Sequence, residues 1–332
     1  MSLEIKTATL KPRRQSFAYI ARRYGEDRPA SRYDEATLDM QLTANFHYRP
    51  TWDPEYEIYD VRRTAIKMAD WYALRDPRQY YYGTYTIARS KMMEAQEKNF
   101  SFVQKRDLLQ GIDAAWTQKI KDYLLPLRHY EWGANMNNCQ MADQGYGAAI
   151  TQAAMFAAMD RLGIAQIISR TGLAFDGNSG ESLAAAKEAW LHRPMWQGVR
   201  HMMEDSFVVA DWFELFVAQN VVMDGLIYPL VYDHFDRAGQ AHGAASLSIL
   251  SEFASDWYAE TAKWADAMLK IAAAESQENA VLLGQWFTAW SARALEAFRP
   301  IAEHVLGDGA QDALDAVRGN LTTRVQKAGL LI

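Results

Sequence analysis

Residues 253–271 read FASDWYAETAKWADAMLKI, and their large apolar side chains recur with the period of an α-helix. Phe253, Trp257, Trp264, Met268 and Ile271 follow one another at intervals of four, seven, four and three residues. They therefore lie along one face of a helix with about 3.6 residues per turn. This pattern predicts a long amphipathic helix whose aromatic face is buried against other helices.

A second stripe with the same period predicts another long helix earlier in the chain. The stripe begins at Tyr146, between Gly145 and Gly147. Because these glycines have no side chain, we expect a neighbouring helix to approach closely. A loop over residues 177–180 (GNSG) precedes a third predicted helix over residues 181–190. No segment alternates as a strand would, so the predicted fold class is all-α, a helical bundle. The members of the second stripe are Tyr146, Ile150, Ala154, Ala157, Ile164 and Ile168.

The composition excludes several classes of protein. With 332 residues, 49% hydrophobic and 23% charged, the chain is neither disordered nor collagen-like. Cys139 is its one cysteine, which excludes a disulfide scaffold and fits the cytoplasm. The N-terminus lacks the apolar segment of a secretory signal. The longest apolar stretches are residues 144–159, which have an acidic residue at each end, and residues 207–232, which acidic residues interrupt. We expect a cytoplasmic protein that does not span a membrane.

The first part of the chain differs from the rest in proline content and charge. Five of the nine prolines fall within the first 77 residues, which is typical of irregular structure. We therefore divide the chain into an extended N-terminal arm, residues 1–60, and a helical domain, residues 61–332. Residues 1–32 carry a net charge of +5, with interleaved aromatic residues, which favours docking to a protein over nucleic acid or a membrane. A solvated extension without a partner is the alternative.

A helical core with polar side chains could hold a di-metal site, whose signature is Glu-x-x-His on two helices and one Glu from each of two others. None of the seven histidines has a glutamate three residues before it. Glu188 and His192 are predicted to form a surface pair, and His201-x-x-Glu204 has the reverse order. Cysteine-based zinc sites are excluded because Cys139 stands alone, and it is predicted to pack in the core.

Two charged residues lie on apolar stripes and are unusual for that reason. Arg161 lies on the second stripe, and Glu260 lies between Trp257 and Trp264 on the first. Charged side chains are rarely buried unless they are paired, so each of these is either paired or extends to the edge of its stripe. Glu131, thirty residues before Arg161 on the preceding predicted helix, is its expected partner.

Three stretches of the sequence resemble those of a known family. They are residues 45–54 (NFHYRPTWDP), residues 76–85 (DPRQYYYGTY) and residues 99–103 (NFSFV). The chain resembles the β subunit of the hydroxylase component of bacterial multicomponent monooxygenases, in the branch that acts on phenol and toluene. Residues 20–24 (IARRY) are similar to the phenol hydroxylase members. This resemblance implies a ferritin-like fold and a catalytic α chain that is a paralogue of this one.

The resemblance also implies that metal ligands are replaced in this chain. Catalytic chains of the family carry Met-Asp-Glu-x-Arg-His-x-Gln, whereas residues 159–166 here read MDRLGIAQ, with Arg161 and Ile164 at the two ligand positions. The second segment, Asp-Glu-x-Arg-His, corresponds to DWYAE, with Trp257 and Glu260 in place of the ligands. Glu131 stands where the first helix supplies a glutamate. We predict no metal, no cofactor and no catalytic residue here, and that Arg161 fills the vacated cavity and neutralises Glu131.

The family implies an α2β2γ2 hydroxylase in which the α chain holds a non-haem di-iron centre. A reductase with FAD and an iron–sulfur cluster supplies electrons from NADH, and a small regulatory protein modulates the reaction, which for this branch converts phenol to catechol. The expected role of this chain is structural, inactive alone, with its interface at the arm arginines and Trp52, Tyr56, Tyr80, Tyr81 and Tyr82. Alternatives are the β subunit of a toluene, methane or alkene monooxygenase, and a free-standing ferritin-like oxidase with His201, Glu204 and Glu260 as ligands.

Overall fold

A computed structural model describes residues 17–26, 28–40 and 49–332, and within them every regular element is a helix. The predicted all-α fold class is therefore confirmed. The helices are α1 (Ala18–Tyr24), α2 (Arg32–Thr37), α3 (Tyr82–Lys105), α4 (Ala114–Tyr123), α5 (Leu127–Gln144), α6 (Ala148–Phe175), α7 (Glu181–His192), α8 (Pro194–Ser206), α9 (Trp212–Phe216), α10 (Asp224–Pro229), α11 (Asp236–Gln240), α12 (Ala245–Glu275), α13 (Gln277–Leu306) and α14 (Ala310–Lys327).

Helix α12 contains the aromatic stripe from which the fold was predicted. Phe253, Trp257, Trp264 and Met268 are all at most 5% exposed, so this face is buried as expected. The helix ends before Ser276, whose extended backbone turns the chain and whose hydroxyl accepts a hydrogen bond from the Asn279 amide at 3.1 Å. This cap starts α13, which returns alongside α12.

Helices α5 and α6 form a second antiparallel hairpin that contains the other predicted stripe. The turn between them is made by Gly145, which ends α5, and Gly147, which begins α6 with φ of +96°. Both glycines lie in this turn, and α5 and α6 pack closely against each other, as predicted. Gly147 is required because only glycine adopts this left-handed conformation readily. The turn places α5 and α6 side by side, and each of these helices carries buried polar side chains.

Helices α9, α10 and α11 join into one continuous helix, Trp212–Gln240, which we call the central helix. Two π-helical segments, Val217–Met223 and Leu230–Phe235, interrupt its regular turns, and Pro229 lies inside it. Within the described residues this is the one helix long and apolar enough to cross a membrane, but 89% of its most apolar window is buried inside the protein. It is surrounded by the other helices of the bundle.

The described part of the N-terminal arm packs on the helical body. Ile20 and Leu38 form a small apolar cluster with Tyr72 and Ala149, and the Tyr33 hydroxyl accepts a hydrogen bond from the Asp76 amide at 2.9 Å. These contacts bury the apolar side of α1 and α2 within the same chain. Several predicted arm features lie outside the described residues: Lys6, Lys11, Arg13, Arg14 and residues 45–48 of the NFHYRPTWDP motif.

The C-terminal tail packs closely on α13 at Gly284. A Cβ atom there would lie 2.0 Å from the backbone oxygen of Leu331, whose amide donates to the Ala280 carbonyl at 3.2 Å. We expect Gly284→Ala to lower the free energy of unfolding by about 1–3 kcal/mol, because the tail must move. Gly319→Ala on α14 is the control, since its Cβ would meet no atom within 4 Å. Urea unfolding of both variants tests this, and equal stability of the two would contradict it.

Candidate functional site

Four helices bring polar side chains together in the centre of the bundle. Glu131 comes from α5, Arg161 from α6, Asp224 from the central helix and Trp257 from α12, and each is at most 2% exposed. Charged groups are seldom buried this deeply unless they are paired. We call these four side chains the Arg161 cluster.

The guanidinium of Arg161 connects the two carboxylates of this cluster. Its Nη1 donates to Glu131 Oε2 at 3.0 Å, and its Nη2 donates to Asp224 Oδ2. The indole ring of Trp257 lies 4.3 Å from Arg161 Cζ, within the range of a cation–π interaction. The predicted pairing of Arg161 with Glu131 is therefore confirmed, and Asp224 is an additional partner.

Neighbouring polar groups occupy the remaining carboxylate oxygens. The Tyr228 hydroxyl donates to Glu131 Oε1 at 2.8 Å, and the Tyr130 hydroxyl donates to Asp224 Oδ1 at 2.8 Å. Gln219 Nε2 also donates to Asp224 Oδ1, at 3.0 Å. All four oxygens of the two carboxylates thus accept hydrogen bonds from protein donors, which is the condition for burying them without a large penalty.

The cluster holds two carboxylates and one guanidinium, so its charges do not balance. Burial raises the pKa of Glu131 to about 7, although Arg161 opposes this change. Burial disfavours the charge on Arg161, but Asp224 and Glu131 together raise its pKa well above its ordinary value. Burial, and then a nearby carboxylate, likewise raises the pKa of Tyr130 and of Tyr228, so both phenols stay protonated and donate. Near neutral pH the Glu131 carboxyl is the group that takes up or releases a proton.

Glu131→Gln is expected to reduce the pH dependence of stability. The pKa of Glu131 in the folded chain, about 7, lies above the value near 4.3 of an exposed glutamate. Its contribution is therefore full below about pH 4 and is lost progressively as the pH rises through about 7, a loss of up to about 4 kcal/mol. Urea unfolding of wild type and variant at about pH 5 and about pH 8 measures it. The exposed Glu94→Gln serves as control and keeps the wild-type dependence; an unchanged dependence in Glu131→Gln would refute the raised pKa.

A second buried ionic cluster adjoins the first through Trp257. The indole Nε1 of Trp257 donates to Asp160 Oδ2 at 2.8 Å, and Arg89 donates to both oxygens of Asp160, each at 2.8 Å. The Tyr85 hydroxyl donates to Asp160 Oδ1 at 2.9 Å. Glu260 accepts from Arg89 at 3.1 Å and, with its side chain 25% exposed, lies at the edge of this second cluster. We call this group the Asp160 cluster.

In the Asp160 cluster, neighbouring acidic and basic side chains stabilise each other in their charged forms. Burial disfavours the charge on Arg89, but Asp160 and then Glu260 raise its pKa above the ordinary value. Burial would raise the pKa of Glu260, yet Arg89 and Arg78 lower it. Glu260 is thus ionised and paired with Arg89 and Arg78 at the edge of the Asp160 cluster.

The residues present do not fit a di-metal centre. Such a centre needs carboxylates and imidazoles whose lone pairs face a metal, whereas Arg161 puts a positive charge between Glu131 and Asp224. Ile164, one turn along α6 from Arg161, is buried and has no ligand atom. In the parts of the chain that the structure describes, no group of three or more His, Cys, Asp and Glu side chains could hold a metal ion.

The alternative ligand set is not brought together. His201 is 78% exposed on α8 and lies 3.6 Å from Asp205, while Glu204 pairs with Arg200. Glu260 belongs to the Asp160 cluster. The prediction that His201, Glu204 and Glu260 could be joint ligands of an oxidase is therefore wrong. The predicted surface pair of Glu188 and His192 is confirmed at 3.6 Å, with both side chains exposed.

Asp224 is the site residue that was missed from the sequence. It lies in the apolar stretch of residues 207–232, whose length and hydrophobicity also resemble those of a membrane span. An acidic residue in such a run is costly to bury alone, and this was the available signal that it has a buried partner. The partner was not visible, because Arg161 precedes Asp224 by 63 residues.

A bundle in which four helices direct polar side chains to a common centre is the architecture of the ferritin-like class. The chain belongs to the Methane/Phenol/Alkene Hydroxylase family, whose model matches residues 52–276. The resemblance found in the sequence is thereby confirmed.

Two relatives and one solved structure show how far this similarity extends. The oxygenase component DmpL of phenol 2-monooxygenase from Pseudomonas sp. (strain CF600) is 48% identical over 330 residues, covering 99% of this chain and 98% of the relative. The β subunit of the toluene-4-monooxygenase hydroxylase component from Ectopseudomonas mendocina is 24% identical, covering 81% and 85%. The xenon-pressurised phenol hydroxylase of Pseudomonas sp. OX1 superposes with a TM-score of 0.93 at 44% identity, covering 99% of each chain.

Proposed function

We propose that this chain is the non-catalytic β subunit of a multicomponent monooxygenase that converts phenol to catechol with O2 and NADH. The observation that carries the proposal is the Arg161 cluster, in which a guanidinium engages both buried carboxylates. A full-length relative that is an oxygenase component of phenol 2-monooxygenase supports the choice of substrate. The one cysteine supports a cytoplasmic location.

In this proposal the metal chemistry belongs to another subunit. A non-haem di-iron centre in the α chain would supply the activation of O2, and FAD and an iron–sulfur cluster in a reductase would supply electrons. Together with a small γ subunit the assembly would be α2β2γ2, modulated by a regulatory protein. The residues of this chain hold its own helices in place: Arg161 joins α5, α6 and the central helix, and Asp160 joins α3, α6 and α12.

The aromatic residues predicted to form the interface differ in their solvent exposure. Trp52 is 76% exposed and Tyr82 is 73% exposed, so both are available to a partner. Tyr56 and Tyr80 are half-buried, because arginine side chains of the same chain lie over their rings. Tyr81, at the start of α3, is also half-buried. We assign the first two to subunit contacts in this proposal.

Reconstitution tests the proposed function. We expect phenol hydroxylation when this chain is co-expressed with the α and γ subunits, the regulatory protein and the reductase. Omitting this chain should abolish assembly and activity, while the α chain supplied alone should remain poorly soluble or inactive. Full activity of the α and γ subunits without this chain would overturn the proposal.

A further inference from the structure

The outer surfaces of α5 and α6 carry apolar side chains where surface helices normally carry charged ones. Over residues 129–142 and 148–165, five side chains are exposed, and all five are large and hydrophobic. Their exposed fractions lie between 41% and 54%. The charged residues of the same segments, Glu131, Asp160 and Arg161, point into the bundle instead. We call the five residues the α5–α6 outer face: Trp132, Met136, Met155, Met159 and Leu162.

These five side chains form one continuous surface. The two helices run antiparallel, and the Asn135 side chain donates to the Ala158 carbonyl at 2.8 Å, which fixes their alignment. Because both helices rise by about 1.5 Å per residue, Met136 lies beside Met159, and Trp132 lies about one turn away beside Leu162. At the end of the face, the Trp132 ring meets the Phe207 ring edge-on, with centroids 6.4 Å apart.

The size and composition of this face are those of a subunit interface. Five large side chains, each with roughly 100 Å² exposed, amount to about 500 Å², near the upper end for a patch on a monomer. A standard interface takes about 800 Å² from each partner, so this face would form the apolar centre of a larger contact with a polar rim. Apolar groups on the outer side and ions on the inner side invert the usual pattern of a surface helix, which marks the outer face as a site of protein contact.

The occupant that fits best is a different subunit, and this step rests on the proposed function. Relatives of this chain are named as the β or small subunit of a hydroxylase component, so each has a non-identical neighbour. Three of the five residues are methionines, whose flexible side chains adapt to a surface that is not a copy of their own. A second copy would bring together two chains of net charge −6.

We propose that the α5–α6 outer face is the surface that docks the partner hydroxylase α subunit. The partner covers it with an apolar helical surface that carries no charge at the centre of the contact. The Arg161 cluster lies directly behind this interface, on the inner side of the same two helices.

A charge placed in the centre of the face tests the proposal. Tagged α subunit is co-expressed with γ and with this chain, as wild type, as Met159→Glu or as the control Val281→Glu, a 38% exposed site on α13. We expect Met159→Glu to reduce the amount of this chain recovered with α by roughly tenfold or more, because the carboxylate would be buried without a partner. Val281→Glu should be recovered like wild type. Met136→Glu repeats the test if Met159→Glu proves unfolded by circular dichroism.

The outcomes separate this proposal from the proposed function. Recovery of folded Met159→Glu and Met136→Glu at the wild-type level would overturn the docking surface and leave the β-subunit role intact. Failure of the wild-type chain to associate with α would overturn both. If Met159→Glu instead dissolves a dimer of this chain while association with α persists, a second copy is the occupant, and the proposal is wrong.

Discussion

Arg161→Met is expected to destabilise the chain by about 3–5 kcal/mol, because it leaves two buried carboxylates without their counter-ion. Glu131 and Asp224 are 2% and 1% exposed, so water cannot replace the guanidinium without opening the bundle. Urea unfolding at about pH 8 measures this loss, because the Glu131 carboxyl, whose pKa burial raises to about 7, is then mostly ionised. The loss should shrink at about pH 5, where Glu131 can take up a proton.

The charge-free triple variant Arg161→Met, Glu131→Gln and Asp224→Asn is the matched control. It removes the cation together with both anions and keeps the side-chain volumes similar. We expect it to recover most of the stability lost in Arg161→Met, because buried ion pairs replaced as a set cost little. If Arg161→Met is as stable as wild type, the cluster does not hold the four helices together, and this account of the core is wrong.

Asp160→Ala is expected to produce the second large effect, also about 3–5 kcal/mol of destabilisation. Asp160 is 4% exposed and accepts hydrogen bonds from Arg89, Tyr85 and Trp257. Alanine would leave the Tyr85 hydroxyl, the Trp257 indole N–H and the Arg89 Nε without an acceptor in a buried position. The Nη atoms of Arg89 would keep Glu260. The loss should appear in urea unfolding and in reduced assembly with the α subunit.

The destabilisation caused by Asp160→Ala can be compared with that of two milder variants. Asp160→Asn keeps one acceptor oxygen and should fall between wild type and the alanine variant. Glu260→Gln removes a charge from the edge of the same cluster, where the side chain is 25% exposed, and should cost about 1 kcal/mol or less. If Glu260→Gln is more destabilising than Asp160→Ala, then Glu260 and not Asp160 is the main stabilising carboxylate of this cluster.

The helical fold and half of the Arg161 cluster could be predicted from local patterns. The aromatic spacing predicted α12, and a charge on an apolar stripe predicted that Arg161 and Glu131 pair, because burial of a lone charge is too costly. Asp224 could not be assigned, since its partner is 63 residues away and only the folded bundle brings the two helices together. The position of Glu260 also depends on tertiary structure, because Arg89 reaches it from α3.

Backbone features were harder to predict than side-chain pairing. The stripe beginning at Tyr146 ran past the turn at Gly147, so one periodic pattern covered a helix boundary. The π-helical segments on both sides of α10 and the proline inside it break the regular period. Helical propensity alone predicts that the helix ends at such positions. Packing of other helices around the central helix keeps the chain helical through them.

We infer that this chain is a subunit without a metal centre of its own. The iron content of the chain, expressed alone in iron-rich medium, purified and assayed for phenol hydroxylation, tests this inference. We predict far less than one iron per chain and no turnover. Stoichiometric iron bound to the purified chain, with hydroxylation in the absence of the α subunit, would contradict the account.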